Sequence, residues 1–432
     1  MIPLRAHVGR RVAVLSLTGA GLTAARALAA GGADVTVWDG DETRRAHAQD
    51  LGLAVEDPTA RDWSDMAALV VGDVALLSEE PAPRLIDLAR ALDLPVISAE
   101  AVLARGYADA PARFAAGLGR QAPAALDLAG HLLRSAGQAV IGPAAPDRMA
   151  PVSTRPVVLG AFDAVPAAAP QALCLLDGAG RTDELRAGVD AADGPVVLSA
   201  DDPAVRRLSV SARRRAVLVS GRSTLSRGVF VSAGRLFDSQ DGPARRVADL
   251  PDLPGCAHAS RLAVAAGYAL ARSLGLPVED APGALETYPG APGHGRVLGR
   301  LGPLALSDWS SAAEPRAVCD ALRQAGPVVW LAGPSVDPKL AALLDAAGLA
   351  PANIVLTGDR RRARRKLARL CPVHVERDPT AALARAIHDG LKAGPQAGII
   401  LAPGGPCAGG LADQFAAALG GLVRQARQGD AA

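Results

Sequence analysis

Short, nearly continuous apolar runs alternate with longer mixed stretches from one end of the chain to the other. RVAVLSL (11–17), DVTVWD (34–39), DVALLS (73–78) and LPVISA (94–99) are of strand length and carry few polar interruptions. Such runs suit strands covered on both faces, as in a parallel sheet. Between the first two lies GAGLTAARALAAG, whose small and apolar residues predict a helix over 20–31. Strand, helix, strand in this rhythm predicts a doubly wound domain over residues 1–108.

A second series starts at residue 109. FAAGLGRQAPAALDLAGHLL (114–133) has the outline of a strand, a glycine-bearing turn and a helix ending in GHLL, although Pro123 stands where the helix should begin. QAVIG, RPVVLG, ALCLLD and GPVVLS are expected as short buried strands. RRAVLVSGR and GVFVSAGRLF are expected to form an antiparallel edge, and RLAVAAGYALARSLG a helix. The cluster YPGAPGHG (288–295) interrupts the pattern and marks a boundary. After it GPLALSD, GPVVWLAG, NIVLTGD, CPVHVE and AGIILAPGG repeat the alternation. The expected architecture is α/β in three domains: a Rossmann-like doubly wound sheet (1–108), a P-loop-like mononucleotide-binding fold (109–293) and a Rossmann-like domain (294–432).

Composition agrees with this division. At 432 residues, half of them hydrophobic, the chain is too long for one ordinary core. A net charge of +2 with 3% aromatics argues against a nucleic-acid binder built on basic patches and stacking side chains. The run RRRARRKLAR (360–369) is read as a solvated helix face. The five cysteines include no close-spaced pair, so a reduced, cytoplasmic setting is expected rather than a disulfide or zinc framework. No histidine has metal-ligand spacing, and His131 is read as a packed or capping residue. GRRVAVLSLTGAGLTAARALAA (9–30) imitates a signal peptide, but Arg26 interrupts the run and a second strand follows. No stretch offers some 18 apolar residues without charge, so no membrane span is expected.

Several landmarks occur together and in order: VAVLSLTGAGLTAARAL followed by VTVWD, GHLLRSAG, SADDP, LPG before a long Ala-rich helix, YPGAPGH, and LAP…DQF near the C-terminus. In these the chain resembles the muramyl ligases, in the branch that adds D-glutamate to UDP-N-acetylmuramoyl-L-alanine. The resemblance runs through nearly the whole chain. It implies an N-terminal domain that holds the UDP part of the substrate, a central domain that holds ATP with Mg²⁺, and a C-terminal domain that brings the amino acid. It places the UDP-substrate turn at Leu17, Thr18, Gly19 and Gly21, with Asp39 at the end of the second strand. Ser16 and Thr18 stand where the family usually has glycine, which also disfavours a dinucleotide-dependent oxidoreductase. Gly21 is equally well explained by close helix–strand packing.

The same resemblance places the ATP loop at Gly117, Leu118, Gly119, Arg120, Gln121, Ala122 and Pro123. Aligned without a gap through GHLL, the family's lysine falls on Ala122 and its Ser/Thr on Pro123. A phosphate loop needs converging N–H groups, a lysine to neutralise phosphate charge and a hydroxyl for Mg²⁺. Alanine and proline supply neither charge nor hydroxyl, and proline lacks an N–H. The chain has only three lysines, Lys339, Lys366 and Lys392, so its first 338 residues hold none that could serve. Val158 stands where a metal-binding acid is expected, Thr182 near a metal-ligand histidine, and Ala257-His258 where the family has an HN pair. Of the C-terminal NDSKATN motif only Asp308 survives.

Losing one charge-stabilising donor commonly costs about 100- to 1,000-fold in rate. The expectation is therefore a catalytically impaired ligase homologue that binds a UDP-N-acetylmuramoyl-L-alanine-like molecule or other cell-wall synthesis proteins, with no nucleic-acid or membrane partner. The alternative is an active ligase using ATP and Mg²⁺ through an atypical site that draws on Arg120, Asp127 or Asp183.

Overall fold

The computed structural model describes residues 3–17, 19–40, 42–60, 62–72, 82–109, 112–142, 156–162, 169–178, 181–253, 255–256, 259–301, 304–308, 328–332, 352–357, 364–365, 367–369, 371–376, 379–394 and 398–401. Three sheets organise them. The first contains β1 (Arg11–Leu15), β2 (Asp34–Trp38), β3 (Ala54–Val55), β4 (Met66–Val71) and β5 (Val96–Ser98) in the order β3-β2-β1-β4-β5, with every pairing parallel. Helices α1 (Gly19–Ala30), α2 (Glu42–Asp50), α3 (Ala82–Ala91) and α4 (Ala99–Asp109) connect them. Ala13, Leu15, Leu69, Val71, Leu85 and Ala89 pack into one core cluster, as runs apolar on both faces require.

β1 pairs with β2 on one side and on the other with Met66–Val71, buried throughout; the expected strand DVALLS (73–78) lies outside the described residues. Met66–Val71 precedes that run in one long apolar stretch and is not among the strands expected from the pattern.

The second sheet holds β6 (Arg113–Leu118), β7 (Val140–Ile141), β8 (Val157–Phe162), β9 (Ala172–Leu175), β10 (Val196–Ser199), β11 (Ala216–Ser220), β12 (Val229–Ser232), β13 (Arg235–Asp238) and β14 (Arg245–Asp249). Their order is β14-β13-β12-β11-β10-β9-β6-β8-β7. The expected antiparallel edge is displaced by one strand. β11 and β12 pair in parallel, and the antiparallel part is β12–β13–β14. Its hairpin turns through Ala233 and Gly234, both at positive φ, as a tight two-residue connection demands. The helices here are α5 (Ala122–Ser135), α6 (Thr182–Ala191), α7 (Pro203–Arg207), α8 (Ser209–Ala212), α9 (Arg261–Ser273) and α10 (Ala281–Glu286). Pro123 sits in the first turn of α5, where a missing N–H and a fixed φ are tolerated, so the helix starts where GHLL implied.

The third sheet, in the order β15-β16-β20-β17-β18-β19, contains β15 (Arg296–Leu301), β16 (Leu304–Asp308), β17 (Val328–Ala332), β18 (Asn353–Thr357), β19 (Val373–Glu376) and β20 (Gly398–Leu401). All but β15 were legible as apolar runs. β15 pairs antiparallel with β16, and α11 (Pro379–Ala393) places Ala382, Leu383, Ala386 and Ile387 in the core beneath the sheet. Within 360–369, Leu367 is buried while Arg364, Arg365 and Arg369 are exposed, as a solvated helix face requires.

By compactness the chain falls into two units, one of Met1–Ala122 with Leu133–Val217, the other of Pro123–Leu132 with Leu218–Ala432. The first holds the whole first sheet and β6 to β10. The second holds β12 to β14 and the third sheet.

Candidate functional site: two strand–turn–helix junctions

At the carboxyl end of β1 the chain turns sharply into α1. Ser16 has φ +66°, a left-handed backbone that costs a non-glycine residue about 1–2 kcal/mol. The conformation of a glycine turn is thus kept although the residue is serine. Ser16 donates its N–H to the Trp38 carbonyl at 2.9 Å, and its own carbonyl points at Gly21 and Gly72. A Cβ on Gly21 would overlap that oxygen and lie 3.0 Å from the Gly72 Cα. A Cβ on Gly72 would overlap the same oxygen and lie 2.9 Å from the Gly21 Cα. Packing alone therefore accounts for Gly21.

Leu17 donates its N–H to Asp39 Oδ2 at 2.6 Å. Asp39 is buried, with Arg44 at 3.4 Å from the same oxygen, while Arg45 donates to the Asp39 carbonyl at 2.7 Å and lies over the Trp38 ring at 4.8 Å. Leu17, Gly19, Gly21 and Asp39 are thus brought to one end of the sheet. Thr18 lies outside the described residues.

The second junction follows β6. Gly117 and Leu118 belong to the strand, with Leu118 fully buried, and the turn is reduced to Gly119–Gln121. Ala122 donates its N–H to the Gly119 carbonyl at 2.9 Å, which closes a tight turn. Gly119 has φ +108°, and a Cβ there would lie 2.8 Å from Asp177 Oδ2 and 3.0 Å from the Asp177 nitrogen. Arg120 donates its N–H to Asp177 Oδ2 at 2.8 Å, while Ala122 is 1% exposed inside the helix start.

Asp177 is fixed from both sides. Leu176 donates to the Leu118 carbonyl at 3.1 Å, and Gly178 donates to Asp202 Oδ2 at 2.9 Å. Asp202, in SADDP, also caps α7 by accepting from Ala204 and Val205. Sequence reasoning missed both acids as parts of the site. The available signal for Asp177 was an acid directly after the buried run ALCLL, one strand away from the turn.

Topology gives Asp177 its meaning. In an open α/β sheet ligands bind outside the carboxyl ends of the strands, where successive connections depart to opposite sides. In the first sheet that point lies between β1 and β4, and Asp39 braces the turn from the other side, at the end of β2. In the second sheet it lies between β6 and β9, and Asp177 follows β9. The carboxylate stands in the crevice itself.

The second turn lacks the lysine and the hydroxyl that the resemblance assigns to ATP and Mg²⁺. Of the N–H groups of residues 120, 122 and 123, the first is taken by Asp177, the second by Gly119, and the third does not exist. A fixed carboxylate at the turn would repel a polyphosphate. Asp127, one acid considered as a substitute, is buried and accepts from the Tyr288 hydroxyl at 3.1 Å. Burial, reinforced by Asp127, pushes the Tyr288 hydroxyl well above its ordinary range, so it remains a donor. Val158 is 1% exposed within β8, and Thr182 opens α6. Among the described residues no three His, Cys, Asp or Glu side chains gather as a dedicated all-protein metal site would.

Two further landmarks, His131 and Asp308, are held by hydrogen bonds within the fold. His131 Nε2 faces the Ala284 carbonyl at 2.9 Å; since that oxygen only accepts, the ring nitrogen donates. Asp308 is buried and accepts from the Gly293 N–H at 2.8 Å, while its carbonyl accepts from Gly295 at 2.7 Å, closing the YPGAPGH turn. Ala257, His258 and Asp413-Gln414-Phe415 lie outside the described residues. Among the described residues no helix is long and apolar enough to cross a membrane.

The three-sheet arrangement is that of ligases that build cell-wall peptides. The chain superposes on the UDP-N-acetylmuramate-alanine ligase of Thermotoga maritima with a TM-score of 0.68 at 15% identity, covering 95% of this chain and 99% of that one. It superposes on a murein peptide ligase of Psychrobacter arcticus with a TM-score of 0.58 at 15% identity and the same coverage. In sequence it is 30% identical to the UDP-N-acetylmuramoylalanine–D-glutamate ligase of Phenylobacterium zucineum, over 77% of this chain and 78% of the relative. The ligase of that name from Caulobacter sp. strain K31 is 29% identical over 96% and 95%. No family model matches the chain. The chain belongs to the muramyl ligase family.

Proposed function

We propose that this chain is a non-catalytic, cytoplasmic member of the muramyl ligase family, of the D-glutamate-adding type, that has kept a UDP-sugar turn and lost nucleotide turnover. In this reading residues 1–108 hold the UDP part of a UDP-N-acetylmuramoyl-L-alanine-like molecule, 109–293 form the former ATPase domain, and 294–432 form the former amino-acid domain. The observation that carries it is the donor balance at the second turn: Arg120 N–H on Asp177, Ala122 N–H on Gly119, and proline at 123. Phosphoryl transfer depends on positioning and on charge neutralisation at the moving phosphate. The turn keeps one cation, Arg120, but neither the family's lysine nor its hydroxyl. At the first turn the left-handed Ser16 and the tight Gly21–Gly72 approach support a site that still has its shape.

The test is calorimetric titration of the full chain with UDP-N-acetylmuramoyl-L-alanine and with MgATP, alongside an assay of phosphate release with D-glutamate. The expected result is binding of the UDP compound, no heat from MgATP, and no D-glutamate-dependent phosphate. Micromolar MgATP binding with phosphate release overturns it.

A further inference from the structure

The structure assigns to Asp177 the role of a resident anion: its carboxylate takes the place at the β6–α5 turn that a bound phosphate would fill, so the turn is held in its final form without any nucleotide. This rests on the reading that the turn no longer binds ATP, and goes beyond it by naming what replaced the ligand.

Four observations meet at this point. The turn presents an N–H, that of Arg120, and it is directed at Asp177 Oδ2 at 2.8 Å. The close approach is built in, because Gly119 at φ +108° leaves room for that oxygen where a Cβ would lie only 2.8 Å from it. The acid comes from the crevice side of β6, following β9, where the topology of such sheets admits a ligand. Finally, Asp177 is held by its neighbours rather than by its own side chain, through Leu176 to Leu118 and through Gly178 to Asp202. Asp202 is the positioning residue. It satisfies Gly178 and the first turn of α7 with one carboxylate, so the SADDP stretch sets the height of Asp177 over the turn.

An anion that belongs to the fold differs from a bound one in two measurable ways. It cannot be washed out, and its removal leaves an orphan N–H that a small anion from solution can satisfy. The experiment uses the full chain, its D177A and D177N variants, and inorganic phosphate and pyrophosphate as probes, with chloride at matched ionic strength as the reference. Melting is followed by circular dichroism. D177A is expected to melt about 3–6 °C below the unaltered chain, the loss typical of one charge-assisted hydrogen bond in a domain of this size. D177N, whose amide oxygen still accepts but carries no charge, is expected to lose about half as much. Phosphate or pyrophosphate should raise the melting temperature of D177A by more than chloride does, and leave the unaltered chain where chloride leaves it.

D177A melting with the unaltered chain overturns the inference. So does stabilisation of the unaltered chain by phosphate or pyrophosphate equal to that of the variant. If D177A does not fold, D177N decides alone: lower melting than the unaltered chain supports the assignment, and unchanged melting sinks it. Phosphate release by the unaltered chain would instead defeat the proposed loss of turnover, so the two failures are separable.

Discussion

The two strand–turn–helix junctions differ in the side from which an acid reaches them. After β1, Asp39 takes the Leu17 N–H from β2, away from the crevice between β1 and β4. After β6, Asp177 takes the Arg120 N–H from the crevice strand β9. The bonds are alike, at 2.6 and 2.8 Å, yet one braces a turn from behind while the other stands where a ligand would enter. A carboxylate beside a glycine turn therefore says little until the strand that supplies it is known.

The comparison breaks most sharply at Gly21. In G21A the new methyl meets the Ser16 carbonyl and the Gly72 Cα, both backbone, so neither can rotate away. A loss of about 3 kcal/mol or more is expected from overpacking of this kind, together with loss of UDP-sugar binding. Urea unfolding and titration check the two effects. A G21A protein of unaltered stability would mean that the first turn is far looser than its geometry.

The matching change at the second turn is G119A. It forces alanine to φ +108° and against the Asp177 carboxylate, which can shift a little because Oδ2 is a side-chain atom. A loss of about 2 kcal/mol is expected, from the left-handed backbone and the contact together. UDP-sugar affinity should not move. If it falls in step with that of G21A, the two junctions are not the separate devices described above.

Much of this was legible in the sequence, for a physical reason. Strands buried on both faces read as apolar runs, so β1, β2, β6, β8 to β10 and β16 to β18 stood out, and the GHLL register placed the start of α5. Three features were hidden. Strand β4 shares one apolar stretch with DVALLS, and composition cannot divide such a stretch. Strands β14 (RRVAD) and β15 (RVLGRL) each carry charges on exposed or edge positions and read as loops. The pairing of Arg120 with Asp177 spans 57 residues and depends on β9 lying beside β6, a sheet order that no local pattern encodes. The departures from the family's pattern at Ala122 and Pro123 were visible; the carboxylate that accepts from the Arg120 N–H was not.

A smaller effect distinguishes the two acids. D39N keeps an oxygen that can accept from Leu17 and removes the charge that faces Arg44, for a cost of about 1 kcal/mol. Because Asp39 stands on the substrate turn, D39N should weaken UDP-sugar binding, whereas D177N should leave it unchanged. Titration of both variants with the same UDP compound reads the difference, and equal weakening would erase the contrast between bracing and filling.

The smallest expected effect comes from a third turn closed by an acid, at YPGAPGH, where Asp308 accepts from Gly293 next to His294. Burial lowers the His294 pKa below 6.5, and Asp308 opposes this only in part. The folded state therefore favours the neutral ring. Below pH 6.5 the unfolded chain takes up the proton first, so this contribution is complete above about pH 6.5 and is lost as the pH falls toward the folded value. Between pH 7.5 and 5.5 the loss assignable to His294 should be about 1 kcal/mol or less, given that one pKa unit corresponds to about 1.4 kcal/mol. H294Q should remove that share of the pH dependence in urea midpoints and leave the rest. An identical pH dependence in H294Q would show that the third turn, unlike the other two, is indifferent to the charge beside its acid.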